Sequence, residues 1–252
     1  MRPLSLSLLL VLSALPAVRG LHAQDLTGTC RASSSYDLTL GPDGVRFDRP
    51  QPAPFHVDLH DGTLRTDGAS VQLNAEDQDR LALFERDLRA LAPRVRTVAQ
   101  GGVDLAVHAM RAEAVGLQLS TATLAELDRR LAARASELKQ RIAVSNSTHD
   151  WQGDLVDRYA SQIAGDVLPL LAADLGQQAL DAALSGDLQA AASLRDRAAD
   201  LSTQLRPRLE RRMQALRPQI QALCPAIRQL AELQQGVRAG NGQPLHLLQM
   251  DQ

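Results

Sequence analysis

Residues 60–93, HDGTLRTDGASVQLNAEDQDRLALFERDLRALAP, contain the change of hydrophobic period that decides the fold. An Asp-Gly dipeptide occurs at 61–62 and again at 67–68, each time between short runs in which apolar and polar residues alternate. Asp-Gly between such runs is a strong signal for a two-residue hairpin turn. After Asn74, a good helix cap with Asp77 at the third position, the apolar residues recur at helical spacing. The stretch therefore predicts antiparallel strands that end where a long helix begins.

The residues before this stretch extend the pattern of short strands. Apolar side chains alternate over residues 36–40, 45–47 and 55–59, with turns rich in Gly and Pro between them. This predicts an antiparallel meander of four or five strands over residues 36–75.

Apolar seams of helical spacing fill the chain from 76 to about 230. Pro93 should kink or break the first helix, and the QGGVD stretch at 100–104 is a second weak point. Thr123 and Glu126 form a capping box for the next helix. The apolar residues of these two seams are Leu81, Phe84, Leu88, Leu91, Val95 and Val98, and then Leu124, Leu127, Leu131, Ala135, Leu138 and Ile142.

Further breaks divide the remaining helices. A polar connector at 145–154 and the LSGDL stretch at 184–188 interrupt the helical pattern. Pro207, Pro218 and Pro225 should bend or segment the last long element. Its apolar residues are Leu209, Met213, Leu216, Ile220, Leu223, Ile227 and Leu230.

The predicted fold class is α+β, mainly α: a small antiparallel β-meander followed by an antiparallel helical bundle or long helical hairpins. Residues 24–75 form the β-rich part, and residues 76–230 form the helical part of the same domain. Residues 231–252 lack periodicity and are predicted to be a loose C-terminal tail.

Residues 1–23 have the features of a secretory signal peptide. Arg2 precedes an apolar run that is too short for a membrane span of about 20 residues. We expect cleavage after Ala23, with Gly20 as the alternative, and hence a periplasmic protein without a transmembrane segment. Cleavage removes two arginines and leaves 25 basic against 29 acidic side chains, a net charge of −4. That balance disfavours nucleic-acid binding.

Cys30 and Cys224 are the two cysteines of the chain. Thr29 directly before Cys30 does not fit a lipid-attachment motif, so we do not expect a lipoprotein. A reactive thiol would need a histidine partner and a cationic setting, for which Arg31 alone is weak support. Since an even pair in an exported protein most simply forms a disulfide, the sequence predicts a Cys30–Cys224 bridge.

The composition gives few signs of a chemical site. Aromatic residues make up 2% of the chain, which disfavours stacking sites for sugars, nucleobases or peptides. The sequence has no nucleophile elbow, zinc-protease, phosphate-loop, dinucleotide or C-x-x-C motif. We therefore predict no cofactor and no catalytic residue, although paired carboxylates leave little trace and keep an enzymatic activity open.

The FHVDLHD stretch at 55–61 holds weak candidates for metal ligands. His56, Asp58 and His60 fall on one face of a predicted strand, and His and Asp are zinc-type ligands. At about 3.3 Å per residue, the backbones of His56 and His60 stand roughly 13 Å apart, so one ion would take an adjacent pair at most. The alternative is the solvated face of a half-buried strand.

Two more polar clusters are candidates. His149, Asp150 and Trp151 form either a loop with a helix cap or a catalytic pair. The run RPRLERRMQALRP at 206–218 either contacts anionic lipids or phosphate-rich envelope polymers, or covers the outside of its helix. Its charged residues are Arg206, Arg208, Arg211, Arg212 and Arg217, against Glu210.

The stretch 61–93 resembles the core segment of the YggN-like family of uncharacterised proteobacterial envelope proteins, a domain-of-unknown-function family. The matching residues are Asp61-Gly62, Gly68, Leu73-Asn74-Ala75 and Gln78, leading into a helix that ends in Leu-x-Pro. The layout is also similar, with an early and a late cysteine around a helical middle. The Pro-rich 48–54 and the tail beyond about 231 look peculiar to this sequence. The resemblance implies a periplasmic setting and supplies no activity, ligand or catalytic residue.

Together these features favour a soluble periplasmic protein that binds or helps assemble an envelope protein partner, chaperone-like, through its helical surfaces. The same seams can equally form the internal core. One alternative is a metal or small-ligand binding module centred on His56 and Asp58. The other is a cell-wall hydrolase with carboxylates buried between helices.

Overall fold

The computed structural model describes residues 29–151 and 154–250, so the predicted leader and its cleavage site lie outside the described residues. The described part confirms an α+β fold that is mainly helical. Its strands are β1 (Ala32–Ser33), β2 (Asp37–Leu40), β3 (Val45–Asp48), β4 (His56–His60), β5 (Thr63–Thr66), β6 (Ala69–Val71) and β7 (Gln249–Met250). Its helices are α1 (Ala75–Gly116), α2 (Thr121–Val144), α3 (Asp154–Leu184), α4 (Leu188–Met213), α5 (Arg217–Gln221) and α6 (Cys224–Leu233), with short 3₁₀ turns at Thr148–Trp151 and Gln214–Leu216.

Strands β2 to β6 form one antiparallel meander in chain order, as the sequence predicts. Asp61 and Gly62 have φ angles of 44° and 76°, and Asp67 and Gly68 have φ angles of 48° and 82°. Positive φ at both central residues is what a tight hairpin turn of this hand requires, and Asp-Gly supplies it with little strain. The two predicted hairpins are confirmed.

A first hydrophobic core lies between the sheet and the first half of α1. Val45, Leu59 and Leu64 are direct neighbours across β3, β4 and β5, and all are buried. The ring of Phe47 packs with its centre 6.1 Å from that of Phe84 on α1. Helix α6 adds buried apolar side chains to this core, as does the C-terminal segment.

Helix α1 begins directly against the turn between β4 and β5. The Asn74 side chain accepts a hydrogen bond from the backbone N–H of Asp77 at 2.8 Å, which confirms the predicted cap. A Cβ at Gly62 would stand 2.4 Å from the carbonyl oxygen of Gln78. Only glycine therefore allows the first turn of α1 to approach this hairpin so closely.

The predicted break in α1 is wrong, because the helix runs without interruption through Pro93 and the glycines at 101–102. Proline removes one helical hydrogen bond, but α1 is held by packing on both sides of it. Leu91 lies in the first core and Met110 in a second one. The glycine pair has a packing role, since a Cβ at residue 102 would stand 3.2 Å from a methyl group of Leu216.

The second core joins the last part of α1 to α2, α3 and α4. Its buried residues are Met110, Ala114, Leu119, Leu127, Leu131, Val167, Leu171 and Leu175. Many residues of the predicted apolar seams are therefore buried inside the molecule. The predicted capping box is wrong by three residues: the Ser120 side chain accepts from the N–H of Thr123 at 3.2 Å and caps α2.

The later predicted breaks are found in the structure except at Pro207. The predicted break at 184–188 separates α3 from α4, and the Asp187 side chain caps α4. Pro218 and Pro225 stand in the first turns of α5 and α6, where proline fits. Pro207 lies inside α4 without ending it.

The C-terminal segment packs into the first core, in contrast to the loose tail that the sequence predicts. Val237, Leu245 and Leu247 are each 3% exposed or less. The buried side chain of Gln234 accepts hydrogen bonds from the N–H groups of Leu247 at 2.8 Å and Leu248 at 3.1 Å. An irregular segment can be buried here because a side-chain amide satisfies its backbone.

The two ends of the described chain are joined twice. Cys30 and Cys224 form the predicted disulfide, 194 residues apart in sequence. Next to it β1 pairs with β7, with Ala32 opposite Met250. Over the described ranges, no helix has a stretch apolar enough, and long enough, to cross a membrane.

Candidate functional site

Helices α3 and α4 form a helical hairpin, and Asp174, ten residues before the end of α3, fixes it to the loop before α2. This carboxylate accepts hydrogen bonds from the Ser120 side chain at 2.6 Å, the Ser120 N–H at 3.0 Å and the Thr123 hydroxyl at 2.8 Å. Burial raises the pKa of Asp174, but these bonds and one from Gln178 outweigh it and hold the pKa below its ordinary value. The hairpin is therefore fixed to the loop between α1 and α2.

The hairpin continues past this loop. Gln178 donates to the carbonyl oxygen of Gln118 at 3.3 Å, and Arg197 donates to the Gln118 side chain at 3.1 Å. In the part of the chain that the structure describes, these are the last hydrogen bonds between the hairpin and other elements before its end. We name residues 179–193 the arm tip.

Three leucines of the arm tip are exposed. Leu180, Leu184 and Leu188 are 52%, 79% and 72% exposed, whereas Leu171 and Leu175 of the same hairpin are buried. At about 100° per residue, Leu180 lies nine positions and about 180° around α3 from Leu171. Leu180 and Leu184 therefore lie on the side of α3 opposite its core stripe, and Leu188 is exposed at the start of α4. None of the three belongs to the second core.

The arm tip is apolar with a negative edge. Asp181 and Asp187 are exposed acids, and residues 177–194 contain no lysine or arginine. Exposed large apolar side chains gathered in one part of a molecule are typical of an interaction surface. The arm tip is the candidate functional site because it combines exposed leucines, a hairpin fixed at Asp174 and a definite charge.

The arginine-rich run lies farther along α4 and meets an acid that the sequence did not single out. Glu113 of α1 accepts hydrogen bonds from Arg212 Nε at 2.9 Å and from Arg208 Nη1 at 3.4 Å. With Arg211 these side chains line an open depression of about 390 Å³. The run is therefore more than a solvated helix face.

The candidate ligands on β4 do lie on one outer face, with the buried residues of the strand between them. Each has its own partner: His56 Nδ1 is 2.6 Å from Asp48, and Asp58 accepts from Arg46 Nε at 2.7 Å. His60 stands 3.6 Å from Asp61 instead. The three candidates do not converge on one point.

A different group brings possible ligand atoms closer together. Atoms of His60, Asp61 and Glu85 lie within 4.8 Å of one another. The buried Glu85 is already engaged, because its carboxylate accepts from the N–H of Asp61 at 3.0 Å and from Arg89 at 2.8 Å. Through these contacts Glu85 holds the turn between β4 and β5 against α1.

The connector after α2 covers the free edge of β2. The N–H of Leu40 donates to the carbonyl oxygen of Asn146, and that of Leu38 to the Thr148 hydroxyl, both at 2.8 Å. Trp151 donates to the Ser145 hydroxyl at 2.7 Å, and His149 lies 3.3 Å from Asp37. These contacts favour the loop interpretation of this cluster over the catalytic one.

Sequence reasoning missed the arm-tip leucines and Glu113. A helical wheel of α3 carries the signal for Leu180 and Leu184, because they fall off the stripe that Leu171 and Leu175 define. Glu113 carries no such signal, since its partners are about 100 residues away in sequence.

Residues 30–247 match the family model DUF2884, described as a protein of unknown function. The match spans most of the chain, and the chain belongs to this family. It runs from Cys30 through Cys224 to Leu247, so it includes the C-terminal segment that looked peculiar to this sequence. No curated protein and no solved structure matches the chain.

Proposed function

We propose that this chain is a non-enzymatic periplasmic factor that binds apolar segments of non-native envelope polypeptides at the arm tip, in a chaperone-like or assembly role. The observation that carries the proposal is the exposure of Leu180, Leu184 and Leu188 away from the second core. Export is supported by the leader in the sequence and by the disulfide, since disulfides persist in oxidising compartments. The motif at 61–93 supports kinship with the YggN-like proteins of proteobacteria.

The size of the arm tip favours a short bound segment over a second copy of the chain. From their exposed fractions, the three leucines expose together about as much surface as two free leucine side chains. Burying that surface contributes roughly 3–6 kcal/mol. A stable interface buries about 800 Å² on each partner, and association itself costs at least about 4 kcal/mol. Binding at the arm tip is therefore weak and reversible, which suits a factor that releases its partner.

The charge of the arm tip selects among apolar segments. Asp181 and Asp187 lie between Leu180 and Leu188 in the sequence, and the nearest basic side chain along the chain is Arg195. An apolar segment with basic flanks gains attraction, and one with acidic flanks is repelled.

A peptide-binding measurement tests the proposal. The probe is a fluorescent peptide with a leucine- and phenylalanine-rich centre and lysines at both ends, followed by anisotropy. Replacing Leu180, Leu184 and Leu188 together by serine should lower the affinity at least about tenfold. Val144→Ser is the matched control, because Val144 is 73% exposed outside the arm tip. Equal affinity of the triple variant and the wild type would refute the proposal, provided that their melting temperatures agree.

The structure gives less support to the two alternatives. The proposed metal module would need His56 and Asp58, which have separate partners. A hydrolase would need a carboxyl group with a raised pKa as general acid. Hydrogen bonds from Arg129 and Arg130 instead lower the pKa of Glu126 to about 2, and the pKa of Asp174 is also lowered.

A further inference from the structure

The depression between α1 and α4 is lined by charged side chains. Arg208, Arg211 and Arg212 have the spacing i, i+3 and i+4, which places them on one face of α4. Glu113 faces them from α1, and its side chain is 14% exposed, whereas those of Arg208 and Arg212 are 48% and 45% exposed. The carboxylate thus lies at the floor of the depression and the guanidinium groups lie around it.

The lining has an excess of positive charge. Among the described residues that line the depression, three arginines face one carboxylate, which leaves two positive charges uncompensated. The side chain of Arg211 makes no hydrogen bond or ion pair with any residue in the described ranges, and its backbone carbonyl accepts a bond from the N–H of Gln214. A guanidinium group has five N–H donors, and Glu113 engages one of Arg208 and two of Arg212. Within the described part of the chain, donors of all three arginines remain free.

We propose that Arg208, Arg211 and Arg212 form a binding site for a doubly charged phosphate group, and that Glu113 holds two of these arginines in position. The two uncompensated charges match a phosphate monoester, which carries about −1.5 to −2 at pH 7, or a pyrophosphate diester. A planar guanidinium group donates two parallel hydrogen bonds to two phosphate oxygens, a geometry that an ammonium group does not offer. The ligand is either a phosphate-bearing lipid headgroup or a soluble phosphate compound.

The ordinary roles of such arginines do not account for Arg211. Cations near the C-terminal end of a helix balance its dipole, and long side chains cover apolar neighbours such as Leu209 and Met213. Neither role requires that Arg211 share a depression with two arginines that Glu113 fixes. The geometry therefore points to a ligand and not to the stability of α4.

The test is a calorimetric titration of the purified protein with inorganic pyrophosphate at low ionic strength. Arg211→Gln should weaken binding about tenfold or more, as expected for the loss of charged hydrogen bonds. Arg211→Lys keeps the positive charge but removes the planar pair of N–H donors, and it should weaken binding several-fold. Arg195→Gln is the matched control, because it removes an exposed arginine from the same helix, and it should change the affinity less than twofold. Unchanged melting temperatures show that the variants fold.

The outcomes distinguish a specific phosphate site from nonspecific electrostatic attraction. Absence of pyrophosphate binding would overturn the proposal, and so would equal weakening by Arg195→Gln and Arg211→Gln. An affinity unchanged by Arg211→Lys would also overturn it, since attraction to charge alone needs no planar pair of donors. Vesicles of phosphatidylcholine with phosphatidic acid then distinguish the sources. Vesicle binding that depends on Arg211 identifies a lipid headgroup, and pyrophosphate binding without it identifies a soluble compound.

Discussion

Removal of the Cys30–Cys224 bridge should lower the free energy of unfolding by up to about 5 kcal/mol. The bond closes a loop of 194 residues. In the chain-entropy model a loop of this length restricts the unfolded chain by about 18 cal/mol/K, which is about 5 kcal/mol at 25 °C. Residual structure in the unfolded chain reduces that figure, so we expect a measured loss of about 2–5 kcal/mol.

The variant should still fold, because other contacts hold the same ends together. β1 pairs with β7 beside the bridge, and Val237 and Leu247 remain in the first core. Alanine is the better replacement, since Cys30 is 7% exposed and a buried serine hydroxyl would add its own cost.

The assay is equilibrium unfolding in urea, followed by circular dichroism, for the wild type and the double alanine variant. Reductant should shift the wild-type midpoint to that of the variant and should leave the variant unchanged. If the two proteins differ by less than about 1 kcal/mol in the absence of reductant, the reasoning from loop closure is refuted.

Three further predictions concern the fold. Gly62→Ala should lower the stability by more than about 2 kcal/mol in thermal melts, because the added Cβ would overlap a carbonyl oxygen of α1. Gly68 also has a positive φ, but a Cβ there would meet open space. Gly68→Ala should therefore cost only about 1 kcal/mol in the same melts. Asp174→Asn should lower the melting temperature at neutral pH. Because the folded-state pKa of Asp174 is lowered, its contribution is present above the ordinary value of 3.8 and is lost as the pH falls through the folded-state pKa, so the gap to the wild type should close there. Leu247→Ala should cost about 2–5 kcal/mol in urea unfolding, whereas a loose tail would show no change.

The parts of the fold that depend on local chemistry could be predicted from the sequence. Asp-Gly at 61–62 and 67–68 specifies its turns wherever it stands between strands. Asn74 caps α1 with a residue three positions away, and the break at 184–188 is also a local signal. The disulfide followed from the number of cysteines and the inferred compartment.

The parts that depend on distant contacts could not be predicted. Pro93 does not end α1 because each half of the helix lies in a different core. The C-terminal segment has no periodicity, yet Gln234 satisfies backbone N–H groups of the segment and its apolar side chains are buried in the first core. Such burial leaves no pattern in the segment itself.

The candidate site also has features that local sequence can indicate and features that depend on distant contacts. Leu180 and Leu184 can be recognised as exposed from the helical wheel of α3 only after its core stripe is known. Glu113 meets Arg208 and Arg212 because α1 packs on α4. The spacing of residues within either helix does not indicate this contact.

The central claim is that the arm tip binds apolar polypeptide segments. Its most direct test is an NMR titration of the protein, with labelled leucine methyl groups, by the lysine-flanked apolar peptide. The account predicts that the methyl resonances of Leu180, Leu184 and Leu188 shift with a common binding curve, while those of the buried Leu171 do not. Shifts confined to other leucines, or none at saturating peptide, would contradict it.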